Sequence, residues 1–153
     1  MDHYEFDKNG KMLFEGIIDK GGVLYYYEAG KPVEKGLFKY NGDYYYVQYN
    51  GTLIVDTKYY AWKVNENCDL PISHYEFDEN GKMLQGIVNK DGVLFYYENG
   101  KPTEKGLFIL DGYYYYSQYN GTLITNTTYF VWKTNDLLLE KHYVFNELGQ
   151  IIG

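Results

Sequence analysis

The stretch GLFKYNGDYYYVQYNGTL, Gly36–Leu53, decides the fold, and the chain spells it again as GLFILDGYYYYSQYNGTL, Gly106–Leu123. Each copy sets a short apolar run on either side of Asn41-Gly42 or Asp111-Gly112. Asn-Gly and Asp-Gly accept the positive φ angles of a type I′ turn, whose twist matches two antiparallel strands. A second turn, Gln48–Gly51 or Gln118–Gly121, precedes another apolar pair. The phrase therefore predicts a β-hairpin with a tail strand.

The repetition extends outward from this phrase. Between Gly16–Asn65 and Gly86–Asn135, 33 of 50 positions are identical without a gap. The marker HYEFDKNGKML at His3 returns as HYEFDENGKML at His74 and HYVFNELGQII at His142. The organisation expected is one repeat domain over residues 1–153, with long repeats 3–73 and 74–141 and a partial third repeat 142–153. Because the chain starts inside a repeat, it reads as a fragment of a longer polypeptide.

Composition agrees with short strands and many turns. Tyr supplies 21 residues, against 8 Phe and 2 Trp, and there are 17 Gly. Tyr favours pleated, half-buried surfaces, with a flat apolar body and a polar tip. No window shows a helical period of apolar residues. A lone hairpin buries too little surface to be stable, so the hairpins must cover one another. The fold class expected is all-β, an elongated β-solenoid of stacked β-hairpins built from tandem repeats. In such a stack Tyr44-Tyr45-Tyr46 presents rings to both faces.

The net charge is −7 with both signs interspersed, which argues against nucleic acid as a partner. No apolar run approaches a membrane span, and no signal peptide opens the chain. The single cysteine, Cys68, permits no internal disulfide and reads as an incidental thiol. Catalysis is not expected. His3, His74 and His142 fall at equivalent repeat positions and read as strand-entry residues bonded to a neighbouring turn. The carboxylates Glu5 with Asp7, and Glu98 with Glu104, show no spacing peculiar to acid–base work. The DKNG and DENG turns lack the twelve-residue ligand pattern of a calcium loop, and no metal or cofactor is expected.

Sugar binding remains. Pyranose rings offer apolar faces to flat aromatics, and polar side chains bond their hydroxyls. The glycan-stacking candidates are Tyr60, Trp62, Phe130 and Trp132, which carry the only tryptophans, and a second patch of Tyr45, Gln48, Tyr115 and Gln118. Tyr60 becoming Phe130 makes the hydroxyl dispensable, which suits a buried ring and predicts that the tryptophans are buried too.

The aromatic phrase resembles the tandem repeats of Gram-positive surface proteins. These are the choline-binding cell-wall repeats, the glucan-binding repeats of streptococcal glucosyltransferases, and the repetitive receptor-binding region of the large clostridial toxins. Gly36, Leu37, Asn41, Gly42, Tyr44, Tyr45, Tyr46, Gly51 and Leu53 carry the resemblance, as do their counterparts from Gly106 to Leu123. It implies a secreted or cell-wall-associated, extracellular module that binds carbohydrate or cell-wall polymer without catalysis. Choline-binding repeats place Trp after the leading Gly; here Leu37 and Leu107 stand there, which disfavours a quaternary-ammonium cage. The alternatives are a structural stalk or protein-adhesion module, and a toxin-like region binding a receptor glycan. Open edge strands also permit a homodimer.

Overall fold

In the structure, a computed structural model, the described residues are Asn9 and 15–153. His3, the Glu5–Asp7 pair and, apart from Asn9, the turn at Asp7–Gly10 lie outside them. The chain falls into two units, one ending at Met83 and one spanning Leu84–Gly153. This boundary lies downstream of the sequence repeat boundary at residues 73 and 74. A cut there would run through a hairpin strand.

The described residues contain strands and turns and no helix, so no helix is long and apolar enough to cross a membrane. The described residues of unit 1 form three hairpins: β1 (Gly16–Lys20) with β2 (Val23–Glu28), to which the short β3 (Lys31–Pro32) adds; β4 (Gly36–Tyr40) with β5 (Asp43–Val47); and β6 (Thr57–Ala61) with β7 (Ser73–Phe77). Unit 2 repeats the scheme as β8 (Gly86–Lys90), β9 (Val93–Glu98) and β10 (Lys101–Pro102); β11 (Gly106–Leu110) with β12 (Tyr113–Ser117); and β13 (Thr127–Val131) with β14 (Lys141–Phe145). The expected all-β class of stacked hairpin repeats holds within each unit.

The turn chemistry behaves as the residues predict. Asn41 and Gly42 have φ of 50° and 85°, Asp111 and Gly112 of 51° and 84°. The resulting two-residue turns set the register Tyr40↔Asp43 and Leu110↔Tyr113. Register then assigns each tyrosine to a face. Tyr44 and Tyr46, with Leu37, pack on the β6–β7 side against Ala61, Tyr75, Phe77 and Met83. Tyr45, with Phe38 and Val47, packs on the β1–β2 side against Tyr26 and Leu53. The central hairpin is thus buried on both faces, and β11–β12 is treated alike. Each fully covered ring or leucine contributes roughly 1.5–3 kcal/mol.

Thin layers explain why the rings are tyrosines. A hydroxyl at the tip reaches the layer edge and finds an acceptor there. Tyr44 Oη donates to Asp69 Oδ1 at 2.6 Å, Tyr75 Oη to the Pro71 carbonyl at 2.6 Å, and Tyr143 Oη to the Leu139 carbonyl at 2.8 Å. Among the described residues, no buried side-chain nitrogen or oxygen lacks a partner.

The leading glycine has its own physical reason. Gly36 and Gly106 sit at φ of 67° and 71°, where a Cβ is disfavoured. At Gly36 a Cβ would also lie 2.5 Å from the Lys63 carbonyl oxygen. That same oxygen accepts the Leu37 N–H at 2.8 Å, which joins β4 to the segment after β6. The tail residues seal the opposite edge: Ile54 and Met83 N–H donate to the Tyr46 and Tyr44 carbonyls at 3.0 and 2.9 Å.

Candidate functional site

The two sequence-predicted patches part company. Tyr45 and Tyr115 are 5% and 7% exposed, inside the core layers. Tyr45 lies against Phe38, and Tyr115 stacks on Phe108 with ring centroids 5.5 Å apart. Gln48 Nε2 donates to Thr52 Oγ1 at 3.0 Å, and Gln118 Nε2 to Thr122 Oγ1 at 3.1 Å. Asn50 and Asn120 accept from the same threonines. Retention of Gln48, Asn50 and Thr52 between copies therefore reflects a hydrogen-bonded turn. The ring in this turn that does reach solvent is Tyr49, 81% exposed, with Tyr119 at 82%.

The third hairpin is different. Ala61 and Tyr75 face the core, so alternation turns Tyr60 and Trp62 outward. Trp62 and Trp132 are each 56% exposed, and Tyr60 and Phe130 are exposed beside them. The expectation of buried tryptophans is thus overturned. The β4–β5 hairpin has a layer on each side, whereas among the described residues of its own unit the outer face of β6–β7, like that of β13–β14, has none.

The structure adds a ring that the sequence reading missed. Tyr60 pairs across strands with His74, and Phe130 with His142. Ring centroids stand 4.9 Å apart in the first pair and 5.1 Å in the second. Each histidine is the second residue of its strand, the strand-entry position expected from the sequence, and lies against an aromatic ring. Each unit therefore presents an outward platform of three rings: Tyr60, Trp62 and His74, or Phe130, Trp132 and His142. Its far border differs between units. Lys58 opposite Glu76 gives a charged margin in unit 1, and Thr128 opposite Val144 a neutral one in unit 2.

Several other titratable groups are tied into the scaffold. Glu98 is bonded to Tyr96 at 2.8 Å and Lys105 at 3.0 Å, which hold its carboxyl below the usual range. Glu28 is held likewise, by Lys35 and then Tyr26. Burial and the Glu28 bond push Tyr26 up to about 12, and burial chiefly does the same for Tyr46, Tyr96 and Tyr116. Cys68 packs against the unit 1 core, and burial raises its thiol. Among the described residues, no group of three or more His, Cys, Asp or Glu is placed to hold a metal ion.

Solved structures share this arrangement of tandem aromatic hairpins covering one another. Choline binding protein F from Streptococcus pneumoniae, in the presence of a peptidoglycan analogue (tetrasaccharide-pentapeptide), is 24% identical with a TM-score of 0.53, over 98% of this chain and 43% of that one. A second crystal form of it is 25% identical with a TM-score of 0.52, over 98% and 44%. The modular autolysin LytC from the same organism, in complex with a synthetic peptidoglycan ligand, is 15% identical with a TM-score of 0.50, over 100% and 36%. This chain thus spans less than half the length of those proteins. No family model and no curated protein matches it. At the position where choline-binding repeats carry Trp, Leu37 and Leu107 are fully buried, so they wall no cage.

Proposed function

We propose that this chain is a non-catalytic module that holds a glycan-bearing cell-wall polymer, on the outside of a Gram-positive bacterium or in its secretions. The observation that carries this reading is the pair of outward ring platforms, Tyr60–Trp62–His74 and Phe130–Trp132–His142, at equivalent places in the two units. A stalk whose aromatics serve only packing would turn those rings inward, as β5 and β12 do. Flat exposed rings offer a sugar face something to stack on. The peptidoglycan analogues carried by the structural neighbours are consistent with a wall polymer as the ligand class. Fully buried leucines at the cage positions favour ring stacking over ammonium capture.

Two weak sites on one chain engage a repetitive polymer together, and linked sites can exceed either alone by about 10²-fold or more. The test is pull-down of the full chain on purified Gram-positive cell wall, comparing wild type with Trp62→Ala, Trp132→Ala and the double variant. Both tryptophans are exposed, so the variants fold. Each single change lowers retention about 10-fold or more, and the double change abolishes it. Unchanged retention by the double variant would refute the platforms as the binding surface.

A further inference from the structure

The two units differ at one edge of the central hairpin. In the β4–β5 and β11–β12 registers, Leu37, Lys39, Leu107 and Ile109 point their backbone N–H and C=O groups away from the partner strand. Leu37 and Leu107 are covered: the Lys63 and Lys133 carbonyls accept their N–H groups at 2.8 and 3.0 Å. Lys39 is covered by a side chain. Its N–H donates to Asn67 Oδ1 at 3.4 Å, and Asn67 Nδ2 donates to its carbonyl at 3.1 Å. One primary carboxamide thus satisfies both groups of a single strand residue, using its oxygen and its neighbouring N–H together.

In unit 2 the position equivalent to Asn67 is Leu137, which can make neither bond. The Ile109 N–H and C=O meet no protein partner among the described residues. Ile109 lines an open groove of about 570 Å³, to which Leu137 adds apolar surface and Glu104 and Lys133 add charge. Lys63, the counterpart of Lys133, is tied to Glu34 at 2.8 Å, while Lys133 forms no ion pair among the described residues.

We propose that this groove binds a short peptide through a primary carboxamide, which takes at Ile109 the place that Asn67 takes at Lys39. The ligand carboxamide oxygen accepts the Ile109 N–H, and its amide nitrogen donates to the Ile109 carbonyl. Its aliphatic stem lies along Leu137, and a nearby ligand carboxylate meets Lys133. A trans secondary amide is excluded, because its N–H and C=O point in opposite directions. The chain itself supplies the comparison: the same edge is closed in one repeat by the group that the other repeat is open to receive. This site uses none of the platform residues and stands or falls apart from the glycan reading.

The experiment is a titration of the ¹⁵N-labelled full chain with N-acetylglutamine, N-acetylglutamate and glucose. N-acetylglutamine shifts the Ile109 amide resonance. N-acetylglutamate, which presents an acceptor to the Ile109 carbonyl, leaves it in place, and so does glucose. Leu137→Asn installs the cap of unit 1 and abolishes the shift. Asn67→Leu uncaps the other edge and makes the Lys39 amide respond to the same probe, a gain that a misfolded variant cannot mimic. An Ile109 amide that ignores N-acetylglutamine, or answers glutamate or glucose equally, overturns the proposal. So does an equal response to an extended peptide without a carboxamide, which would mean plain strand addition.

Discussion

Replacing Gly36 by Ala tests the packing of one hairpin on the next, and Gly42→Ala is its internal control. Both glycines have positive φ, 67° and 85°, so a Cβ costs each about 1–2 kcal/mol in backbone strain. At Gly42 nothing lies within 4 Å of an added Cβ, and the cost ends there. At Gly36 the Cβ would stand 2.5 Å from the Lys63 carbonyl oxygen and 3.0 Å from its carbonyl carbon. That contact is backbone, so the segment after β6 must move. Moving it weakens the Leu37 N–H bond to the same carbonyl, worth about 1–3 kcal/mol when a buried donor is left unmet. It also loosens the packing around Leu37, which is fully buried. Gly36→Ala is therefore expected to cost about 2 kcal/mol more than Gly42→Ala. With a urea slope of about 1–3 kcal/mol per molar, the two midpoints separate by about 1 M. Because the chain forms two units, the transition should be followed unit by unit. Trp62 and Trp132 provide one reporter in each unit, seen singly when the other is changed to Phe. Coincident midpoints for the two variants would refute the close-approach argument and leave the leading glycine explained by its φ alone.

Two further outcomes follow from local geometry. Ala29 sits at φ 54°, where its counterpart Asn99 sits at 48°, so Ala29→Asn should stabilise unit 1 by about 1 kcal/mol; a melting temperature no higher than wild type would contradict this. The raised tyrosines set an alkaline limit. Tyr26, Tyr44, Tyr46, Tyr96 and Tyr116 are pushed from 10.0 to about 12, which means that the fold favours their neutral forms. Their contribution is complete below pH 10 and is lost as pH rises from 10 towards 12, so near-ultraviolet circular dichroism should collapse across that window. A fold that persists unchanged at pH 12 would show that these hydroxyls do not couple to stability.

Much of this architecture was legible in the residues alone. The Asn41-Gly42 and Asp111-Gly112 turns specify two-residue hairpins, and a two-residue turn pins register, so period-two alternation set Tyr45 on the face opposite Tyr44 and Tyr46; that Tyr45 is buried, and so is no stacking surface, was decided by the layer it meets. The leading glycine was visible as a repeat mark, but its reason was not, since that depends on where the Lys63 carbonyl comes to lie. The candidate site was half legible. Tyr60 with Trp62, and Phe130 with Trp132, share a face by spacing alone. His74 and His142 joined them only in three dimensions, because β6 and β7, like β13 and β14, are linked by long loops that leave register undetermined.

Sequence by itself settled what is local: turn type, strand alternation, the repeat, and the hairpin stack that a lone hairpin's instability demands. Tertiary structure decided what depends on a neighbour's presence or absence. A tyrosine in the middle hairpin is buried whichever way it points, because a layer lies on each side. A tryptophan in the third hairpin is exposed, because no layer among the described residues of its own unit covers its outer face. The same rule separates the two central edges, closed at Lys39 by Asn67 and open at Ile109 beside Leu137. Exposure and edge closure are properties of pairs of elements distant in the chain, and no window of residues contains both members of the pair.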